Sequence, residues 1–199
     1  MFKKFIAFTL AEVMLVAGIT AVVAAMTVPN MKKSFDKKAR ISKAKAVMAK
    51  LDNAMQNVDI QKAYRGNSSL DDRALGLLNE LENYLQFRIV CGKQTASNYC
   101  FSKDRVIDTT STSISDTLIN GSSKIVTAIL NDGTEIAIGV PVNPGTDFLG
   151  IPEYNAFIVV DVDGAKNGPQ TRGEDIFLFV VSGNGLTFHT SSIEKDILN

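Results

Sequence analysis

Glu12 is the residue whose setting most needs a chemical explanation. It is the only charge in Phe8–Val28, a 21-residue stretch reading FTLAEVMLVAGITAVVAAMTV. An ionised group at the centre of a bilayer costs about 2.5–3.5 kcal/mol on insertion scales, so such a group normally has a partner. Either Glu12 pairs with a cation, or it sits at headgroup level near the start of the run and pairs with nothing. A second oxygen-rich set is Asp161, Asp163, Asn167 and Asp175, in DVDGAKNGPQTRGED. Three carboxylates, an amide and several glycines are the materials of a hard-cation site such as one for Ca²⁺. The spacing departs from an EF-hand loop, because Gly164 starts a turn where a ligand is needed. The competing reading is a strand connection capped by Asp and turned by Gly-Pro. Cys91 and Cys100 are the only thiols, with eight residues between them. A bridge closing that loop is worth about 2–3 kcal/mol by chain-entropy arguments. A metal site on these thiols is disfavoured, because His189 is the sole histidine and no other thiols exist. His189 alternates with Phe188 at a strand end and reads as a surface or half-buried side chain. With no P-loop, no G-x-S-x-G and no H-E-x-x-H, the expectation is a protein that is not an enzyme.

The element that carries Glu12 comes first. As a helix, Phe8–Val28 is about 31 Å long, close to the hydrocarbon thickness of a bilayer. Lys3 and Lys4 precede it and Pro29 follows it.

The segment MFKKFIA-FTLAEVMLVAGITAVVAAMTVP resembles the N-terminus of type IV prepilins and type II secretion pseudopilins. The resemblance covers about the first 30 residues. In that family a short basic leader is removed by a dedicated prepilin peptidase ahead of an F-T-L-x-E motif. The resemblance implies a cut between Ala7 and Phe8 and N-methylation of Phe8. Glu12 and Pro29 stand where family members commonly carry Glu and Pro. One departure is Ala7, where the family usually has Gly. The implied role is a structural subunit of a type IV pilus or a type II secretion pseudopilus. Such a subunit is held in the inner membrane of a bacterium with its head in the periplasm, then assembled into a periplasmic or extracellular filament. Its implied partners are itself and other pilins, the peptidase, an inner-membrane assembly platform and membrane lipid. No specific nucleic acid is implied. In a low-dielectric bundle the new Phe8 ammonium of one subunit and Glu12 of its neighbour would neutralise each other and fix axial register. A head outside the cytoplasm also favours a Cys91–Cys100 disulfide. The 161–175 segment is similar to Asp- and Gly-rich loops of pseudopilins, some of which bind calcium.

The alternative is a secreted or membrane-anchored binding domain with an ordinary export signal. Lys3 and Lys4 would be its charged region, Val13–Val23 its apolar core and Val23-Ala24-Ala25 its cleavage site, leaving Met26 first. Against it, Glu12 precedes that core closely and the apolar run continues to Val28.

Charge is distributed unevenly along the 199 residues. Residues 32–50 hold Lys32, Lys33, Lys37, Lys38, Arg40, Lys43, Lys45 and Lys50 against Asp36, whereas from Leu51 onward 11 basic residues face 19 acidic ones. Positive flanks normally stay cytoplasmic, so the rule opposes the topology that the resemblance implies. The basic segment either meets acidic heads of neighbouring subunits or lies solvated against anionic headgroups.

Residues 29–64 contain no further Gly or Pro and place Val47, Leu51, Met55 and Val58 on one stripe, which predicts a continued helix kinked at Pro29. Arg65-Gly66-Asn67 is its stop. Ser69 to Asp72 looks like a cap for a second helix over 70–86, with Leu77, Leu78, Leu81 and Leu85 inward. Residues 102–122 read as a Ser/Thr/Asp-rich loop or weak edge strand. From Lys124 the period becomes two. Strands at 125–130 and 136–140 flank an Asn131-Asp132-Gly133 turn, and further strands follow at 157–160, 176–181 and 186–189. The expected fold is α+β: a long N-terminal helix, membrane-spanning in its first half, packed on a C-terminal antiparallel meander of four or five strands. The expected organisation is a leader (1–7), a transmembrane and assembly helix (8–28), its continuation (29–64) and a globular head (65–199).

Overall fold

A computed structural model describes residues 9–66, 69–93, 100, 125–140, 154–164, 175–182 and 185–188. Contact density divides the chain into two units, residues 1–39 and 40–199. Helix α1 (Leu10–Asn57) belongs to both, and Pro29 lies inside it. In the first unit every described side chain from Thr9 to Phe35 is exposed. The helix is long and apolar enough over this part to cross a membrane.

The second unit begins on the same helix. Its inward stripe is the expected one, Val47, Leu51, Met55 and Val58, widened by Ala44 and Ala54. The continuation is not a single helix to residue 64, however. It stops at Asn57 and restarts as α2 (Ile60–Tyr64), because the Asp59 carboxylate accepts from the Lys62 N–H at 3.1 Å and caps the new turn. Helix α3 (Leu70–Glu82) starts where expected, with Ser69 Oγ accepting from the Asp72 N–H at 3.2 Å. It ends four residues earlier than expected, at an Asn83 cap. Leu85 is nevertheless buried beyond its end.

Among the described residues, six strands follow in one antiparallel sheet whose spatial order equals the chain order. They are β1 (Phe87–Lys93), β2 (Ile125–Leu130), β3 (Glu135–Gly139), β4 (Tyr154–Asp161), β5 (Ile176–Ser182) and β6 (Gly185–Phe188). The last five match the expected meander. Strand β1 is additional: it pairs with β2 through two register shifts, between Phe87 and Ile89 and between Val90 and Gly92. Gly92 takes φ +66°, where a side chain would be strained. The β2–β3 hairpin closes at Asn131-Asp132-Gly133 with Gly133 at φ +82°.

One core joins α1, α2 and α3 to a single face of the sheet. That face carries Val126, Ala128 and Leu130, then Ile136 and Ile138, then Ala156, Ile158 and Val160, then Phe177, Phe179 and Val181. The opposite face is also buried, at Ile125, Ala137, Phe157, Val159, Leu178 and Val180. Burial on both sides accounts for strand sequences that are nearly continuous in apolar residues rather than alternating with polar ones. On that second face Phe157 lies over Gly139, its cross-strand partner. A Cβ at Gly139 would stand 2.0 Å from the Phe157 ring.

Candidate functional site

Glu12 sits in the first turn of α1, and the structure gives it a partner that sequence reading missed. Its Oε2 accepts from the Thr9 N–H and from the Thr9 hydroxyl, both at 2.8 Å, while Thr9 Oγ1 accepts from the Glu12 N–H at 3.3 Å. This is a reciprocal capping box, which satisfies amides that the first turn leaves orphaned. The signal was present as T-x-x-E at residues 9–12. The acid is therefore held by its own helix, with its charge at the positive end of the peptide dipoles.

Further along, other polar groups of the span are also satisfied within it. Thr20 Oγ1 donates to the Val16 carbonyl at 2.8 Å and Thr27 Oγ1 to the Val23 carbonyl at 2.9 Å. Pro29 has no N–H to donate into the preceding turn. Next to it, Asn30 Nδ2 reaches the Met26 carbonyl at 3.4 Å. Internal satisfaction of this kind is what a segment needs if its surroundings hold no water.

The basic segment separates into two groups with different roles. Arg40, Lys43 and Lys50 fall within an arc of about 80° on the helix at 100° per residue. Arg40 Nε pairs with the Asp163 carboxylate. Lys43 Nζ donates to the Val162 carbonyl and, at 3.2 Å, to that of Asp132. Lys50 Nζ meets Asp132 Oδ2 at 3.2 Å. Three cations of α1 thus hold the β2–β3 turn and the segment after β4. Part of the basic excess is engaged inside the chain. Asp132 also accepts from the Thr134 N–H at 3.0 Å. Partial burial alone would raise its pKa, but the Thr134 hydrogen bonds and Lys50 outweigh that and hold it below the usual carboxylate value.

Of the residues considered for calcium, Asp161, Asp163 and Asp175 are described. Asp161 is fully buried, and its Oδ1 accepts from the Asp163 and Gly164 N–H groups at 2.9 and 2.8 Å. This is an Asx turn that starts the connection, with Gly164 at φ +77°. Asp163 is engaged by Arg40. Asp175 is buried, and its carbonyl accepts from the Val162 N–H at 3.0 Å. Among the described residues no three acidic, histidine or cysteine groups could jointly hold a metal ion. Asn167 lies outside the described residues, as do Ala7, Phe8 and His189.

Cys91 and Cys100 are paired as a disulfide, with Cα atoms 6.0 Å apart. That separation is within the normal range for a bridge. Cys91 belongs to β1, so the bridge ties the residues after this edge strand back onto it. Lys93 adds an ion pair to Asp72 of α3 at 2.7 Å, and Lys62 of α2 one to Glu80 at 2.8 Å. Compared with family models, with curated proteins and with solved structures, the chain matches none of them, so its function rests on the chemistry of its own residues.

Proposed function

We propose that this chain is a non-enzymatic structural subunit of the prepilin or pseudopilin type. In this reading it is trimmed between Ala7 and Phe8, anchored through Phe8–Val28 and assembled into a filament by packing of that segment. The observation that carries it is an apolar span of α1, Leu10–Val28, exposed along its whole length, whose one charge, Glu12, lies in the first turn. The Thr9–Glu12 cap adds a physical point. In the single chain the carboxylate is already hydrogen-bonded, so burial in a bundle does not have to desolvate a bare ion. A neighbour's ammonium then adds charge neutralisation to an acid that is held in place.

The anchored binding domain remains the second reading, because the same cap explains Glu12 without any neighbour. Glu12→Gln separates the two. Glutamine keeps the capping box but removes the charge. A filament subunit then inserts normally and fails to assemble, whereas a passive anchor behaves as wild type. Mass spectrometry of the native product supplies the other test: a first residue other than Phe8 refutes the prepilin reading.

A further inference from the structure

We infer that Lys32, Lys33, Lys37 and Lys38 form a collar that binds anionic phospholipid headgroups on the leaflet next to the head; the inference rests on the membrane-spanning reading of α1. All four are exposed, and among the described residues none of them forms an ion pair. The neighbouring cations Arg40, Lys43 and Lys50 are occupied by carboxylates and carbonyls of the head, which divides the basic segment by use.

Angular placement identifies the partner. At 100° per residue the four lysines fall at about 0°, 100°, 140° and 240° around the helix, within about 9 Å of rise. Such a spread surrounds the axis. A protein partner docks on one face and calls for a stripe, whereas a headgroup layer encircles a spanning helix. Axial placement agrees. The lysines start about 6 Å beyond Val28 and end about 15 Å beyond it. Side chains on a helix lean toward its N-terminus, here back toward the apolar segment, and lysine stems lie readily along an apolar boundary. The ammonium groups therefore return to the level where phosphates begin, since the interfacial layers add about 10–15 Å in total to the hydrocarbon core. Met31 and Phe35, both exposed, supply apolar surface at the same level. Asp36 is the one acid between Lys32 and Lys38, leaving the segment strongly cationic.

The test uses the full chain reconstituted in phosphatidylcholine bilayers with trace spin-labelled lipid. Electron spin resonance then compares how strongly phosphatidylglycerol and phosphatidylcholine enter the motionally restricted layer around the protein. The expected result is a preference of about fivefold for phosphatidylglycerol, the worth of a single surface lysine, declining with added salt. Replacing all four lysines by glutamine is expected to remove most of the preference, leaving what Lys3 and Lys4 contribute, and Lys45→Gln to leave it unchanged. Lys3 and Lys4 are present in every variant, so the difference reports the collar. An equal preference in wild type and fourfold variant, with restricted lipid present in both, overturns the inference while leaving the spanning helix intact. Absence of any restricted lipid overturns the spanning reading and the collar with it.

Discussion

Gly139→Ala is the substitution whose outcome follows most directly from geometry. The added methyl would lie 2.0 Å from Phe157 Cζ and 2.6 Å from both Cε atoms, where ordinary contact begins near 3.4 Å. The ring must therefore move by more than an ångström, and Phe157 has no exposed surface into which to move. Overpacking of a tight core costs about 1–3 kcal/mol, and this contact belongs at the upper end. Alanine recovers about 0.5–1 kcal/mol through its lower unfolded-state entropy, leaving a net loss of about 2 kcal/mol. For a unit of this size that lowers Tm by about 4–8 °C. Because the chain has no tryptophan, scanning calorimetry of the detergent-solubilised protein is a better readout than fluorescence. The decisive control is Phe157→Leu, which shortens the ring side chain. In that background Gly139→Ala should cost at least about 0.5 kcal/mol less, because the two residues share one space. If the alanine variant is as stable as wild type, or if the two substitutions are simply additive, the close packing of Phe157 over Gly139 is wrong.

Other perturbations test separate parts of the structure. Asp132→Asn should flatten the acid limb of the stability curve. The lowered pKa of Asp132 means that its contribution is complete above the unfolded value near 4 and is lost as pH falls through the folded one, so wild type and variant converge at low pH. Urea titrations between about pH 3 and 6 measure this, and parallel curves would count against the Lys50–Asp132 contact. Reducing the Cys91–Cys100 bridge should cost about 2–3 kcal/mol, seen as a lower urea midpoint in dithiothreitol; an unchanged midpoint would mean that the bridge does not constrain the unfolded chain. Lys43→Met should cost about 1–2 kcal/mol and speed amide exchange at Thr134 and Gly164, because two carbonyls lose a charged donor. Exchange that rises equally over the whole sheet would instead indicate global destabilisation. Leu51→Ala, at a fully buried position where α1 meets the core, should cost about 2–5 kcal/mol by thermal melt, and a loss under 1 kcal/mol would place α1 outside the core.

What the sequence discloses about the fold follows the range of each interaction. The Val47–Leu51–Met55–Val58 stripe, the Ser69 cap and the Asn131-Asp132-Gly133 hairpin are all local, and each is visible in a few consecutive residues. The break at Val58–Asp59 is equally local but was hidden, since no Gly or Pro marks it and an aspartate caps as readily as it lies on a helix surface. Strand β1 is hard to read because FRIVCGK pairs irregularly, with two register shifts, and its Ile89 and Val90 are exposed at the sheet edge. For the candidate site, Glu12 stood out by its isolation. Its Thr9 partner is legible in T-x-x-E, a local pattern that satisfies the acid without a distant cation. The division of the basic segment was not legible. Arg40 and Asp163 are 123 residues apart, and no periodicity announces contacts of that range.

Because the strands lie side by side in the order in which they are synthesised, none has to be threaded between two that are already joined. A polypeptide delivered from its beginning can enlarge the sheet only at the advancing border, one addition at a time. Each new arrival finds its template complete. The anchoring cations of α1 must wait until the fourth strand is laid down before both of the segments that they grip exist. The polar clamp is therefore a late event in the birth of the molecule, and a nascent chain stalled before Val162 should hold α1 by its apolar stripe and Lys50 alone, without the Arg40–Asp163 and Lys43–Val162 grips.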